Sequence, residues 1–217
     1  MLQIVWHTGR SYENPAAEAL QDPPSLAGIR LASFGESMMA SRFVMLYLQS
    51  FDIQPGIIVP YRELDYDRVG KWLGTSLLLD RRDSYPLLAA TGLYLGVDDG
   101  ARKRKMLDFV YRKFLENPEG RWQWLARGAW AAKYELHDLP LALEYADALA
   151  RYRTADMPDW VSEMQVFVLR DMNEIGSEKI LIGALLANGK IADRNEKRLL
   201  ERELARIAEQ KKPGMLW

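Results

Sequence analysis

The polar and apolar positions of this chain recur with a three- and four-residue step, the spacing that gathers side chains on one face of an α-helix. The step is clearest over residues 121–158. There Trp124, Leu125, Ala129, Ala132 and Leu136 share a face, His137-Asp138 interrupts it, and Leu139, Leu143, Ala146, Leu149 and Ala150 resume it. Asp138 has the chemistry of an N-cap, Pro140 is tolerated in a first helical turn, and Pro158 limits the second helix. Small residues (Gly128, Ala129, Ala131, Ala132, Ala142, Ala146) allow the two helices to approach closely. The pattern predicts a helical hairpin with apolar faces on more than one side, a unit that needs neighbours.

The rest of the chain reads in the same way. Residues 8–25 are polar and carry Pro15, Pro23 and Pro24, which predicts a linker or an arm laid on the surface. A helix is predicted over 37–51, with Phe43, Val44, Leu46, Tyr47, Leu48 and Phe51 forming a broad apolar face. Gln54-Pro55-Gly56 makes a turn and 57–60 a short extended connection. The helix over 65–79 is expected to bury Val69, Trp72, Leu73 and Leu77, with Leu78 a further candidate. The next is expected to open at an N-cap Ser84, with Pro86 just inside, and to reach residue 97. Another spans 101–115, with Met106, Phe109, Val110 and Phe114 apolar. After the hairpin come helices over 159–172 (Trp160, Val161, Met164, Phe167 and Val168 inward) and 177–187, the latter ending at Asn188-Gly189. Asp193 and Glu196 have capping-box spacing for a last helix bearing Leu199, Leu200, Leu204 and Ile207. No strand is expected, so the fold class is all-α.

These elements repeat. Trp72-Leu73, Phe109-Val110 and Tyr145-Ala146 are separated by 37 and 36 residues, and Leu87-Leu88, Trp124-Leu125 and Trp160-Val161 by the same two intervals. Turn residues recur with them at Asp80-Arg81, Asn117-Pro118 and Met157-Pro158. A two-helix unit at this period, close to the roughly 34 residues of a tetratricopeptide repeat, is the mark of a helical solenoid.

On these residues, 37–187 resembles a run of degenerate tetratricopeptide repeats. Trp124, Gly128, the run Leu141-Ala142-Leu143-Glu144-Tyr145-Ala146-Asp147-Ala148-Leu149, and Pro118 and Pro158 closing successive units carry the likeness. Gly92 also suits the small position of a first helix, although no unit holds the family's full residue set and the spacing drifts by a few residues. The resemblance implies a right-handed α-α superhelix over a single domain at 26–210, preceded by an arm at 1–25 and followed by a tail at 211–217. It also implies a concave groove lined by the first helix of each unit. A compact irregular helical bundle is the alternative architecture.

Composition narrows the chemistry. Apolar residues make up 48% and charged residues 27%, enough to build a core in 217 residues and too apolar for wholesale disorder. Lysine plus arginine (29) balance aspartate plus glutamate (30), which gives no general drive toward nucleic acid. There is no cysteine, so disulfides, thiolate metal sites and cysteine nucleophiles are excluded. That fits cytosol and periplasm equally. No apolar run reaches the roughly 18–20 residues of a membrane span. The opening Met1-Leu2-Gln3-Ile4-Val5-Trp6-His7 reads either as a plain N-terminus or as the trimmed end of a membrane anchor with Trp6 at the interface.

Candidate chemistry is sparse. His7 and His137 lack any ligand-spaced partner in the sequence, and turn or surface histidines are expected. Glu63, Asp65 and Asp67, interleaved with Arg62 and Arg68, suit either a cation site for a metal-dependent hydrolase or transferase or an acidic helix N-terminus; the second is the expectation. The basic run Arg102-Lys103-Arg104-Lys105 spreads around a helix and reads as a solvated helix start. Arg170-Asp171-Met172-Asn173-Glu174 reads as a polar network at a helix junction. No phosphate loop, nucleophile elbow, zinc-protease or calcium-loop motif occurs. No catalytic residue, metal ligand or cofactor is therefore assigned.

The remaining expectation is a binding surface. Arg121, Gln123, Arg127 and Lys133 alternate with Trp122, Trp124, Trp130 and Tyr134. A peptide groove for a segment bearing carboxylates is expected at Arg121, Gln123, Arg127, Trp130 and Tyr134. The expected role is a non-enzymatic adaptor or assembly scaffold binding another protein or peptide. A self-associating module, with the last helix and Met215-Leu216-Trp217 buried in a homodimer, is the structural alternative.

Overall fold

The computed structural model describes residues 17–155, 157–171 and 194–210, together with Ile182, Gly183, Leu185 and Leu186. These residues are mostly helical, and the chain packs as two compact units, Met1–Met106 and Leu107–Trp217. The repeat pattern expects one continuous array over 26–210, so the two units are described separately.

In the first unit, residues 17–25 run without helix along helix α3 (Tyr66–Leu79). Leu20 is buried, its carbonyl accepts from Arg68 Nη1 at 2.5 Å, and the Gln21 carbonyl accepts from Trp72 Nε1 at 2.8 Å. Lys71 pairs with Asp22 at 2.7 Å. Ser25 then caps α1 (Leu26–Ala32), its hydroxyl accepting from the Gly28 N–H. None of the α1 residues is buried. The chain leaves α1 through Phe34 and Gly35, both with positive φ (53° and 84°), and enters α2 (Ser37–Ser50).

Helices α2 and α3 pack against each other around a buried polar clasp. The hydroxyls of Ser41 and Ser76 lie 2.7 Å apart, and each is also within hydrogen-bonding reach of the other's backbone carbonyl, at 3.1 and 3.3 Å, so that one hydroxyl donates to the other and the second donates to a carbonyl. Because α2 meets a single long neighbour, it buries one stripe: Ala40, Ser41, Val44, Met45 and Leu48. The broad apolar face expected for this helix is therefore half uncovered, with Phe43 61% and Leu46 60% exposed. Leu78 on α3 is likewise exposed, whereas Val69, Trp72, Leu73 and Leu77 are buried.

One strand pair departs from the all-helical expectation. Ile53–Gln54 (β1) and Ile57–Ile58 (β2) pair antiparallel around Gly56, whose φ of 81° glycine adopts without steric cost. A 3₁₀ turn at Tyr61–Glu63 leads to Asp65, which caps α3 by accepting from the N–H groups of Asp67 (2.9 Å) and Arg68 (3.4 Å). Helix α4 (Tyr85–Gly92) has Ser84 at its N-cap position, but the side chain that accepts from the Tyr85 N–H is Asp83, at 2.8 Å. The helix ends short of residue 97, and a 3₁₀ turn at Tyr94–Gly96 drops Tyr94 and Leu95 into the core. Tyr94 is met edge-on by Tyr61 and Tyr66, with ring centres 5.8 and 6.1 Å away. Helix α5 (Gly100–Glu116) contains the division between the units.

The second unit holds α6 (Pro118–Tyr134), α7 (Leu139–Arg151), α8 (Trp160–Asp171) and α9 (Arg194–Gln210). Asn117 caps α6 and Asp138 caps α7, where its carboxylate accepts from the Leu141 N–H at 3.0 Å. His137 supplies the left-handed residue of the turn, with φ 54°. Helix α7 is packed on one side by α6 and on another by α8, and buries Leu141, Ala142, Tyr145, Ala146, Ala148 and Leu149. This is the hairpin with two sticky faces that 121–158 predicts. Gly128 lies under the Tyr145 ring: a Cβ there would stand 3.4 Å from Leu107 and 3.8 Å from Tyr145. Val166, Ile182 and Leu200 form a further cluster, with Leu185, Leu186 and Leu204 against it. The expected cap at Asn188-Gly189, the helix start at Asp193, residues 172–174, His7 and Met215-Leu216-Trp217 lie outside the described residues.

Candidate peptide-binding groove

Helices α6 and α8 each carry a second apolar stripe that the α7 contacts leave uncovered. On α6 it comprises Trp122, Trp130 and Tyr134, with the buried Ala126 on the same helical phase between the two tryptophans. On α8 it comprises Trp160, Met164 and Phe167. The helices touch, and the stripes meet ring to ring. Trp122 and Trp160 stand edge to face with centres 5.6 Å apart, Trp130 and Tyr134 are 5.1 Å apart, and Tyr134 is 6.1 Å from Phe167. Trp130, Tyr134, Trp160 and Phe167 all remain exposed. Such rings offer large contact area at small conformational cost.

The stripes enclose a groove in two joined stretches. One, of about 480 Å³, is bounded by Trp122, Gln123, Arg127, Trp130, Trp160 and Met164. The other, of about 470 Å³, shares Trp130, Trp160 and Met164 and runs on past Phe167 and Arg170 to Leu199 and Glu203. Arg170 pairs with Glu203 at 2.9 Å, and Arg206 shares the same carboxylate at 2.5 Å. The groove is thus an aromatic floor with mixed charge along its edges.

Of the five residues expected here, Gln123, Arg127 and Trp130 line one stretch together, and Tyr134 continues the stripe. Arg121 does not belong to the groove. Only 7% exposed, it donates from Nη1 to the Lys113 carbonyl at 2.6 Å and to Glu116 at 3.1 Å. It shares the helical phase of Leu125, Gly128 and Ala132, the stripe that faces the core, and this phase was the available signal. Lys133, 4% exposed, also points inward: its Nζ donates to the Phe167 carbonyl at 2.9 Å and lies 3.3 Å from the Phe167 ring centre. This lysine ties α6 to α8 beneath the groove.

Trp160 and Phe167 are the residues sequence reasoning missed, because it assigned them to the core. Val161 and Val168 occupy the buried phase of α8, and an apolar run that serves two faces reads from sequence as one wide core face.

The other candidates are engaged in local structure. Asp65 caps α3, Asp67 pairs with Lys105 at 2.5 Å, and Arg102 pairs with Asp99 while lying over the Tyr66 ring. His137 is exposed in its turn. Glu116 carries a lowered pKa: burial raises it, and this is outweighed by the hydrogen bond and charge of Lys113 and by Arg121. Among the described residues no three histidines or carboxylates are grouped to hold a metal ion, and no helix is long and apolar enough to cross a membrane. Compared with known proteins, the chain matches no family model, no curated protein and no solved structure.

Proposed function

We propose that this chain is a non-enzymatic, tetratricopeptide-like helical-repeat protein that binds another protein by taking up a peptide segment along α6 and α8. In this reading α6 and α8 are the first helices of successive repeats in a right-handed superhelix, and α7 is the second helix between them. The observation that supports it most is the pair of uncovered aromatic stripes lying side by side, with Gln123 and Arg127 at their edge. Trp130 and Trp160 supply apolar contact, and Arg127 supplies a cation for a carboxylate on the partner. No cofactor and no nucleic acid enter this role.

The test is selection of a displayed random-peptide library on the full chain, followed by tryptophan-fluorescence titration of the enriched peptides. Trp130→Ala should weaken binding about 30-fold, as removal of an aromatic hot spot does, and Arg127→Glu should weaken acidic peptides selectively. Both variants should melt close to the parent, because these side chains are exposed. Failure to enrich any peptide, or equal binding to Trp130→Ala, would reject the groove.

A further inference from the structure

A cavity of about 750 Å³ lies between α1 and α2 in the first unit, apart from the aromatic groove. The extended arm at 21–24 walls one side, α1 and the turn after it a second, and α2 a third, with the buried Trp72 of α3 at the base. Helix α1 buries none of its residues, so it stands off α2 and leaves this space unfilled. Two features of the lining act together. The first is aromatic. Phe34, Phe43 and Tyr47 line the cavity and are exposed, and Tyr47 stacks on Trp72 with ring centres 4.7 Å apart. The Trp72 Nε1 bond to the Gln21 carbonyl fixes the indole, so this end of the cavity is pre-formed. Phe34 is 96% exposed and holds a left-handed φ of 53°, a costly conformation for a residue with a bulky ring. The second feature is charge. Among the described residues, the charged groups in the lining are Asp22 and Glu36, both acidic. Asp22 is engaged by Lys71 at 2.7 Å and Arg68 at 3.7 Å. Glu36, at the N-cap position of α2, makes no side-chain cap bond, and its carboxylate has no ion pair among the described residues.

We infer that this cavity is a binding site for a small organic cation, an ammonium group carried on an apolar body. Its volume falls within the roughly 300–1,000 Å³ of small-molecule sites, which are mostly apolar with a few polar groups that set orientation. Rings alone would serve any apolar body. Rings beside a carboxylate select a positive one, because the ring faces attract a cation and the Glu36 charge adds to that attraction. A carboxylate or phosphate ligand meets the opposite field. Among the described residues no basic side chain lines the cavity, and Lys71 and Arg68, which pair with Asp22, are not part of the lining. The site is independent of the groove on α6 and α8, with which it shares no residue.

Met39 lines the cavity and reports on it. The full chain, labelled at its methionine methyl groups and with the Met39 signal assigned through Met39→Leu, is titrated with three probes. These are benzyltrimethylammonium, its uncharged carbon isostere neopentylbenzene, and the anion phenylbutyrate. The cation should move the Met39 signal to saturation and bind about 10-fold more tightly than the isostere, with the anion weakest. Glu36→Gln, at an exposed position, should erase most of that preference and leave the isostere's affinity unchanged. Phe43→Leu, also at an exposed position, should weaken the cation about 5-fold. A Met39 signal that the cation does not move, equal binding of cation and isostere, tighter binding of the anion, or a preference that survives Glu36→Gln would each overturn the inference. If either variant fails to fold, the three-probe comparison on the parent chain decides alone. Trp130→Ala should leave every one of these affinities unchanged, so failure of the groove and failure of this cavity are read separately.

Discussion

Arg121→Met isolates the one arginine whose position contradicts a binding role. The substitution keeps most of the aliphatic stem and removes the guanidinium from a site only 7% exposed. Two interactions go with it. The 2.6 Å bond to the Lys113 carbonyl satisfies a group in the last turn of α5, and a charged donor on such an acceptor contributes about 1.5–3 kcal/mol. The 3.1 Å pair with Glu116 has one partner half exposed to solvent, so it adds only about 0–1 kcal/mol. A loss of about 2–3 kcal/mol is expected, read as a lower urea midpoint in tryptophan-monitored unfolding with an unchanged slope.

The acid dependence provides an internal check. Glu116 has its pKa lowered in the folded protein, so its contribution is present above the ordinary carboxyl value of 4.5 and is lost as pH falls through the folded value. Arg121 supplies part of that depression. The gap between parent and variant should therefore narrow in acid, leaving the carbonyl bond as the remainder. A variant within about 0.5 kcal/mol of the parent at neutral pH would refute the structural role assigned to Arg121, and a gap that widens in acid would refute the part assigned to Glu116.

Three further outcomes test the local physics. Asp138→Ala should cost about 1 kcal/mol in chemical unfolding by uncapping α7, and Asp138→Asn should recover most of it. Ser41→Ala and Ser76→Ala should each cost about 0.5–1.5 kcal/mol, and a double-mutant cycle should give a coupling of at least about 0.5 kcal/mol because the two hydroxyls bond each other; additivity would deny the clasp. Burial, aided by Asp99 and opposed by Arg102, pushes the Tyr66 phenol up to about 12 from 10.0. A raised pKa favours the protonated folded form, so stability should be intact below pH 10 and fall as pH rises from 10 toward 12. Tyr66→Phe, followed by ultraviolet titration and alkaline unfolding, should remove that part of the fall.

Most helices, and the cap at Asp138, were legible in the chain because the forces that set them act within one turn. Asp138 bonds to an N–H group three residues away, whereas Asp65, read only as part of an acidic helix start, and Asn117, read as the close of the preceding helix, prove to cap α3 and α6 by the same short-range chemistry. The hairpin over 121–158 was equally plain, since its small residues and its two apolar phases lie in one continuous stretch. Ser84 shows the limit of that local reading, because Asp83, one residue earlier, takes the bond.

What only tertiary structure decided is which apolar face each helix covers. Helices α2 and α8 both carry more apolar surface than one neighbour can bury, and sequence periodicity reports the stripes without saying which of them meets a partner. The helical phase of Arg121 pointed to its buried side, but what would accept its charge, or that of Lys133, was hidden for the same reason. Among the groups that make their charges tolerable in the interior are the Lys113 and Phe167 carbonyls, 8 and 34 residues away, which accept from them. The sequence alone determined helices, turns and an apolar surplus. The packing of the chain decided where that surplus stays exposed, because burial is a property of the distance to another element, which no single stretch of residues contains.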